Sequence, residues 1–244
     1  MRNDPISQLK VDLAAGLRSA VWHGLNEGVC NHFSVAVPDH PDRFLINPQG
    51  LHWSEITAGD IVMANAAGQV IEGRHKVEPT AFFIHARLHL NNPRARCVLH
   101  THMPYTTALT SLQDGRLEMV SQNALRYFGR IAYDDDYNGL ALDNSEGDRM
   151  CGKIGKADIL FLANHGVIVT GPSMAVAYDE LYYLERAATV QVLAMMTGRK
   201  LKHVPEAICR RTAEQIAGEA QQATLHFESL KRMLDRDEPG WSKF

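Results

Sequence analysis

The sequence predicts a single α/β domain. Segments of helical and strand character alternate from end to end, and no linker, internal repeat or low-complexity tract divides them. At 244 residues the chain is also long enough for one large core. The expected boundaries are residues 1–244, with a C-terminal helical extension from about residue 204.

Leu9, Leu13, Leu17 and Val21 recur at helical spacing, predicting a first helix over 6–28 with Gly24 and Gly28 as stops. Two short strands follow at 30–37 and 44–47, separated by Pro38, Pro41 and aspartates. Ser54 to Thr57 reads as a helical turn. Segments 61–64 and 69–72 flank Asn65-Ala66-Ala67-Gly68 and predict a hairpin. Pro79 suits a first helical position, and Asn91-Asn92-Pro93 ends that helix. Residues 96–102 form a strand. A loop-rich stretch with Gly115, Gly129 and Gly139 comes next, and its acidic run Asp134-Asp135-Asp136 reads as a solvated turn. A short helix at 145–153 leads to strands at 159–163 and 167–170. Ser173 is a good N-cap for a long helix that Gly198 would stop, and 205–234 is mostly helical.

Composition excludes several classes of function. Hydrophobic residues make up 45% and charged residues 22%, with a net charge of −3, so no basic stripe is available for nucleic acid or anionic lipid. Cys30, Cys97, Cys151 and Cys209 form no CxxC pair and read as reduced thiols. The N-terminus lacks the apolar core of a signal peptide, and no apolar run approaches the ~18 residues of a membrane span. The expectation is a cytoplasmic protein with no membrane or nucleic-acid partner, acting on a small molecule.

The 12 histidines stand out because they are grouped. His100-Thr101-His102 ends a strand, where alternation sends both imidazoles to one face with Cα atoms about 7 Å apart. That spacing suits one shared metal ion, and it also suits an ordinary polar strand surface. His165 sits in an apolar run, where leaving it unsatisfied would cost about 1–3 kcal/mol. It therefore needs a partner, either a metal or a carbonyl. Gly166 beside it allows a sharp turn or a close backbone approach. His85 and His89 share one face of their helix.

Taken together, Cys97-Val98-Leu99-His100-Thr101-His102 and Asn164-His165-Gly166-Val167-Ile168-Val169-Thr170-Gly171 resemble the class II aldolase/adducin family. Cys30-Asn31-His32-Phe33-Ser34 is similar to its Gly-Asn-x-Ser segment, and Asn47-Pro48-Gln49-Gly50 to its Thr-Pro-Ser-Gly loop. The helix with Ala177, Leu184-Glu185 and Gln191 fits as well, so the resemblance covers roughly residues 8–200. It implies a three-layer α/β/α fold with a mostly antiparallel sheet, assembled as a homotetramer with sites between subunits. It also implies one divalent metal ion held by His100, His102 and His165, with Zn2+ first and Fe2+ or Mn2+ as alternatives. Asn31, Gly50 and Thr80 would lie near the substrate's anionic group, Tyr137 would move protons, with Tyr127 and Tyr133 as competing candidates, and His85 would line the site.

One departure matters. The aldolases' glutamate, ligand and base at once, lies nineteen residues before the first histidine of the pair, and here that position is Ala81. The neighbouring serines have become Pro79 and Thr80. Glu78 is either a substitute carboxylate or a charge at the positive end of the helix. The reading is a metal-dependent lyase, an aldolase or decarboxylase type, acting through an enolate-like intermediate on a small carbonyl- or carboxylate-bearing substrate. The alternatives are an iron-dependent oxygenase or isomerase on the same scaffold, or a non-catalytic adducin-like interaction module.

Overall fold

The computed structural model describes residues 4–219 and 221–244. Eight strands form one sheet: β1 (His32–Ala36), β2 (Arg43–Ile46), β3 (Val62–Asn65), β4 (Val70–Glu72), β5 (Cys97–Thr101), β6 (Ile131–Asp134), β7 (Ile159–Leu162) and β8 (Gly166–Gly171). Their order is β4-β3-β2-β1-β5-β8-β7-β6, and every neighbouring pair is antiparallel except β6 with β7.

Helices cover both faces because successive strand residues point opposite ways. Cys97 and Leu99 face a core that includes Leu13 and Leu17 of α1 (Pro5–Trp22), Leu181 and Leu184 of α6 (Met174–Met195) and Phe227 of α8 (Gln221–Asp237). Val98, Leu160 and Ile168 face a second core with Ile84 and Leu88 of α2 (Pro79–Asn91) and Met150 and Ile154 of α5 (Asn144–Ile154). The result is the three-layer α/β/α arrangement with a mostly antiparallel sheet. α7 (Glu206–Ala217) and α8 supply the C-terminal helices. Among the described residues, no helix is long and apolar enough to cross a membrane.

Four local expectations need correction. α1 ends at Trp22 rather than 28, because Gly24 turns left-handed (φ 66°) and Leu25 N–H bonds back to the Ala20 carbonyl at 2.9 Å. The helical turn expected at 54–57 forms instead as a 3-10 turn at Ala58–Asp60. There the Asp60 carboxylate accepts from Thr57 N–H and Oγ1 at 2.9 and 2.8 Å. The stretch read as loop-rich contains α3 (Pro104–Thr110), α4 (Gln122–Leu125) and β6. These elements are short and the glycines around them dominate the local signal, so only packing reveals them. Asp134, read as solvated, is buried at the end of β6, where its carboxylate meets Arg149 and, at 3.3 Å, Lys153.

Candidate metal centre

β5 and the β7–β8 hairpin build the site. β5 pairs with β8 so that Thr101 lies opposite Val167, which brings Gly166 alongside His102 at the end of both strands. The hairpin turn is tight: Asn164 adopts φ 55°, and His165 N–H bonds the Leu162 carbonyl at 3.2 Å. A side chain at 166 has no room here. Its Cβ would lie 2.5 Å from the Thr101 carbonyl oxygen and 2.8 Å from His102 Cδ2. Glycine thus lets the hairpin approach closely enough to carry His165 to His100 and His102.

The three rings converge. Centroids lie 5.0 Å apart for His100–His102, 4.8 Å for His100–His165 and 4.9 Å for His102–His165. One ring nitrogen from each falls within 4.8 Å of the others, close enough to share one cation. His100 Nδ1 bonds the Val167 carbonyl at 3.0 Å, and His102 Nδ1 bonds the Glu27 carboxylate, so each is left with Nε2 toward the centre. His102 Nε2 is buried without a hydrogen-bond partner among the described residues. Burial, followed by the neighbouring His102, pushes His165 down to about 4, and burial likewise holds His100 well below the usual histidine range. Neutral imidazoles converging around one orphaned ring nitrogen are what a divalent cation requires, so the residues fit a metal.

A second layer lies between the triad and α2. His32, on β1 directly opposite His100, stacks against that ring with centroids 6.4 Å apart, and its Nδ1 is buried without a partner among the described residues. Its Nε2 lies 3.4 Å from the Glu78 carboxylate. Ser34, two residues along the same strand, bonds His85 Nδ1 and His89 Nε2, both at 2.6 Å. His85 is fully buried, 5.9 Å by centroid from His32 and outside the triad. Glu78 caps α2: its carboxylate accepts from Ala81 N–H at 2.9 Å and from the Thr80 hydroxyl. The helix-end charge expected of Glu78 is therefore present, and the same carboxylate also reaches His32. Ala81 is buried among Phe44, Ile46 and Ala86.

The remaining expected site residues are placed unevenly. Asn31, buried and left-handed at φ 72°, accepts the His102 backbone N–H on Oδ1 at 3.3 Å, so it braces His102. Thr80 is engaged with Glu78. Gly50, at φ 83°, is exposed with open space around it. Tyr137 is 53% exposed and its ring centroid lies 6.2 Å from that of His165. Two residues at the site lie outside the set that the sequence predicts. His32 carries a usable signal, since it alternates with Ser34 on a strand beside the Asn31 motif. Glu27 carries none, because it reaches His102 from a loop 75 positions away.

Residues 11–192 match the model of the Class II Aldolase and Adducin N-terminal domain. A Pseudomonas aeruginosa protein that carries the aldolase class 2 name is 35% identical over 96% of this chain and 92% of its own length. Human beta-adducin is 31% identical over 88% of this chain, which spans 31% of the adducin. The decarboxylase NovR of Streptomyces niveus is 29% identical over 93% of this chain and 86% of its own length. A crystal structure of an aldolase II superfamily protein from Pseudomonas syringae superposes with a TM-score of 0.92 at 31% identity, covering 99% of this chain and 98% of the other. L-fuculose 1-phosphate aldolase from Glaciozyma antarctica superposes with a TM-score of 0.85 at 25% identity, covering 95% and 91%. By fold, motif and sequence, the chain belongs to the class II aldolase and adducin family.

Proposed function

We propose that this chain is a metal-dependent lyase of aldolase or decarboxylase type, acting on a small substrate that carries a carbonyl or carboxylate group. The observation that carries the reading is the convergence of His100, His102 and His165 with the buried, unpartnered His102 Nε2 at its centre. The three histidines would hold one divalent cation, zinc first. Three neutral protein ligands leave a coordination position open, and a bound cation there acts as a Lewis acid toward a substrate oxygen.

Around that position the chain's own groups divide the work. Tyr137, exposed in the single chain beside His165, is the residue for proton transfer on the outer side of the triad. His85 is too buried to meet substrate and positions the His32 layer through Ser34. Asn31 holds His102 in place, and Gly50 and Thr80 border the substrate's anionic end. Because position 81 is alanine and both Glu78 and Thr80 are bonded to one another, the arrangement favours a carboxylate or carbonyl substrate over a sugar phosphate. The apolar loop beside the triad, with Tyr137, Leu140 and Leu142 exposed at 53%, 70% and 67%, suits coverage by a neighbouring subunit in a homotetramer.

Metal content by mass spectrometry on protein purified without added metal tests the reading, with an H100A/H102A variant beside it. About one zinc per chain, lost in the variant, together with release of CO2 or an aldehyde from a panel of keto and hydroxy acids, is the expected result. Iron with oxygen consumption would replace it with an oxygenase. A wild type that takes up no zinc, iron or manganese would overturn it in favour of an adducin-like interaction module.

A further inference from the structure

Within the triad, His100 on β5 and His102 just past its end are held differently. His100 Nδ1 meets the neutral carbonyl of Val167 at 3.0 Å, whereas His102 Nδ1 meets the carboxylate of Glu27. Glu27 comes from the loop between α1 and β1, and four residues later Asn31 Oδ1 accepts the backbone N–H of the same His102 at 3.3 Å. One loop therefore grips both the main chain and the ring of a single ligand. Its backbone is bent to make both contacts. Gly28 and Asn31 are left-handed at φ 54° and 72°, and Cys30 N–H closes the turn on the Glu27 carbonyl at 2.9 Å.

The charge balance gives this contact its meaning. Three imidazoles bring no negative charge, position 81 has no carboxylate, and Glu78 is occupied by the α2 cap and His32. We infer that Glu27 is a positioning residue for the metal, supplying through His102 the negative charge that no protein carboxylate supplies by direct ligation. A carboxylate that accepts Nδ1–H fixes the tautomer with Nε2 free and makes that nitrogen a stronger donor. Because Glu27 sits behind the ring, it offsets part of the cation's charge without filling a coordination position, which stays available to substrate. The inference rests on the metal-dependent reading proposed above.

Zinc affinity decides it, measured on the full chain by competition with a chromogenic chelator for wild type, E27A, E27Q and H102A. Expected is a 10–100-fold weaker affinity for E27A and a smaller loss for E27Q, which keeps an accepting oxygen without the charge. The visible absorption of the cobalt-loaded protein should also shift in E27Q, which a merely structural contact would not cause. Glu27 is largely exposed, so both variants leave the core untouched. If E27A and E27Q bind zinc like wild type while H102A does not, the role of Glu27 falls and the metal centre stands. If wild type binds no better than H102A, the metal centre falls and Glu27's role with it.

Discussion

His32 and His100 lie directly opposite one another on adjacent antiparallel strands, their rings stacked with centroids 6.4 Å apart and 18° from parallel. This pairing joins the histidine triad to a layer of neutral imidazoles that runs to α2. The layer includes His85 and His89, joined by the Ser34 hydroxyl.

That layer predicts a specific acid sensitivity. Burial pushes His32 and His89 down to about 4 and His85 well below the ordinary value of 6.5. Below pH 6.5 the unfolded chain binds protons at these positions and the folded chain does not. Stability therefore falls as pH drops from 6.5 toward 4, by up to ~1.4 kcal/mol per unit for each histidine. Denaturant unfolding of metal-stripped protein at pH 7.5, 6.0 and 5.0 measures the slope, and His89→Gln should reduce it. Equal stability at pH 7.5 and 5.0 would refute the neutral layer.

Gly166→Ala should disturb the histidine triad from the backbone side. The added Cβ meets the Thr101 carbonyl oxygen and the His102 ring, neither of which can yield without moving β5. A loss of about 1–3 kcal/mol in unfolding free energy is expected, as for other overpacked sites. Zinc affinity should fall with it, read in the same chelator competition.

Tyr137→Phe removes a hydroxyl from an exposed loop and leaves the triad intact. Once a substrate is in hand, kcat should fall by about 10²-fold or more, while zinc content and melting temperature stay at wild-type values. Unchanged turnover would move the proton-transfer role away from this residue.

Asp134→Asn tests the buried end of β6. Its carboxylate is buried against Arg149 and Lys153, both of which keep some contact with solvent. Breaking a fully buried pair costs ~3–5 kcal/mol, and partial solvation of the two cations lowers the expected loss to about 2 kcal/mol. Thermal unfolding checks this directly; a loss within ~0.5 kcal/mol would make the pair a surface contact.

Much of the molecule was legible in the sequence because it rests on local periodicity. Alternation along 97–102 put His100 and His102 on one face, and helical spacing with the Ser173 cap gave α6 almost to the residue. Two apolar strands flanking Gly166 were legible, with Gly166 allowing a sharp turn or a close backbone approach between them. The sequence by itself thus determined most of the longer elements, the family and the shared face of His100 and His102. Tertiary structure alone decided what those histidines touch. Sheet order placed β1 beside β5 and so set His32 against His100, although 67 residues lie between them. The α1–β1 loop brought Glu27 to His102, and burial turned Asp134 from a solvated acid into an ion-pair partner. Contacts of this kind depend on strand order and chain path, which leave no periodic trace near either residue.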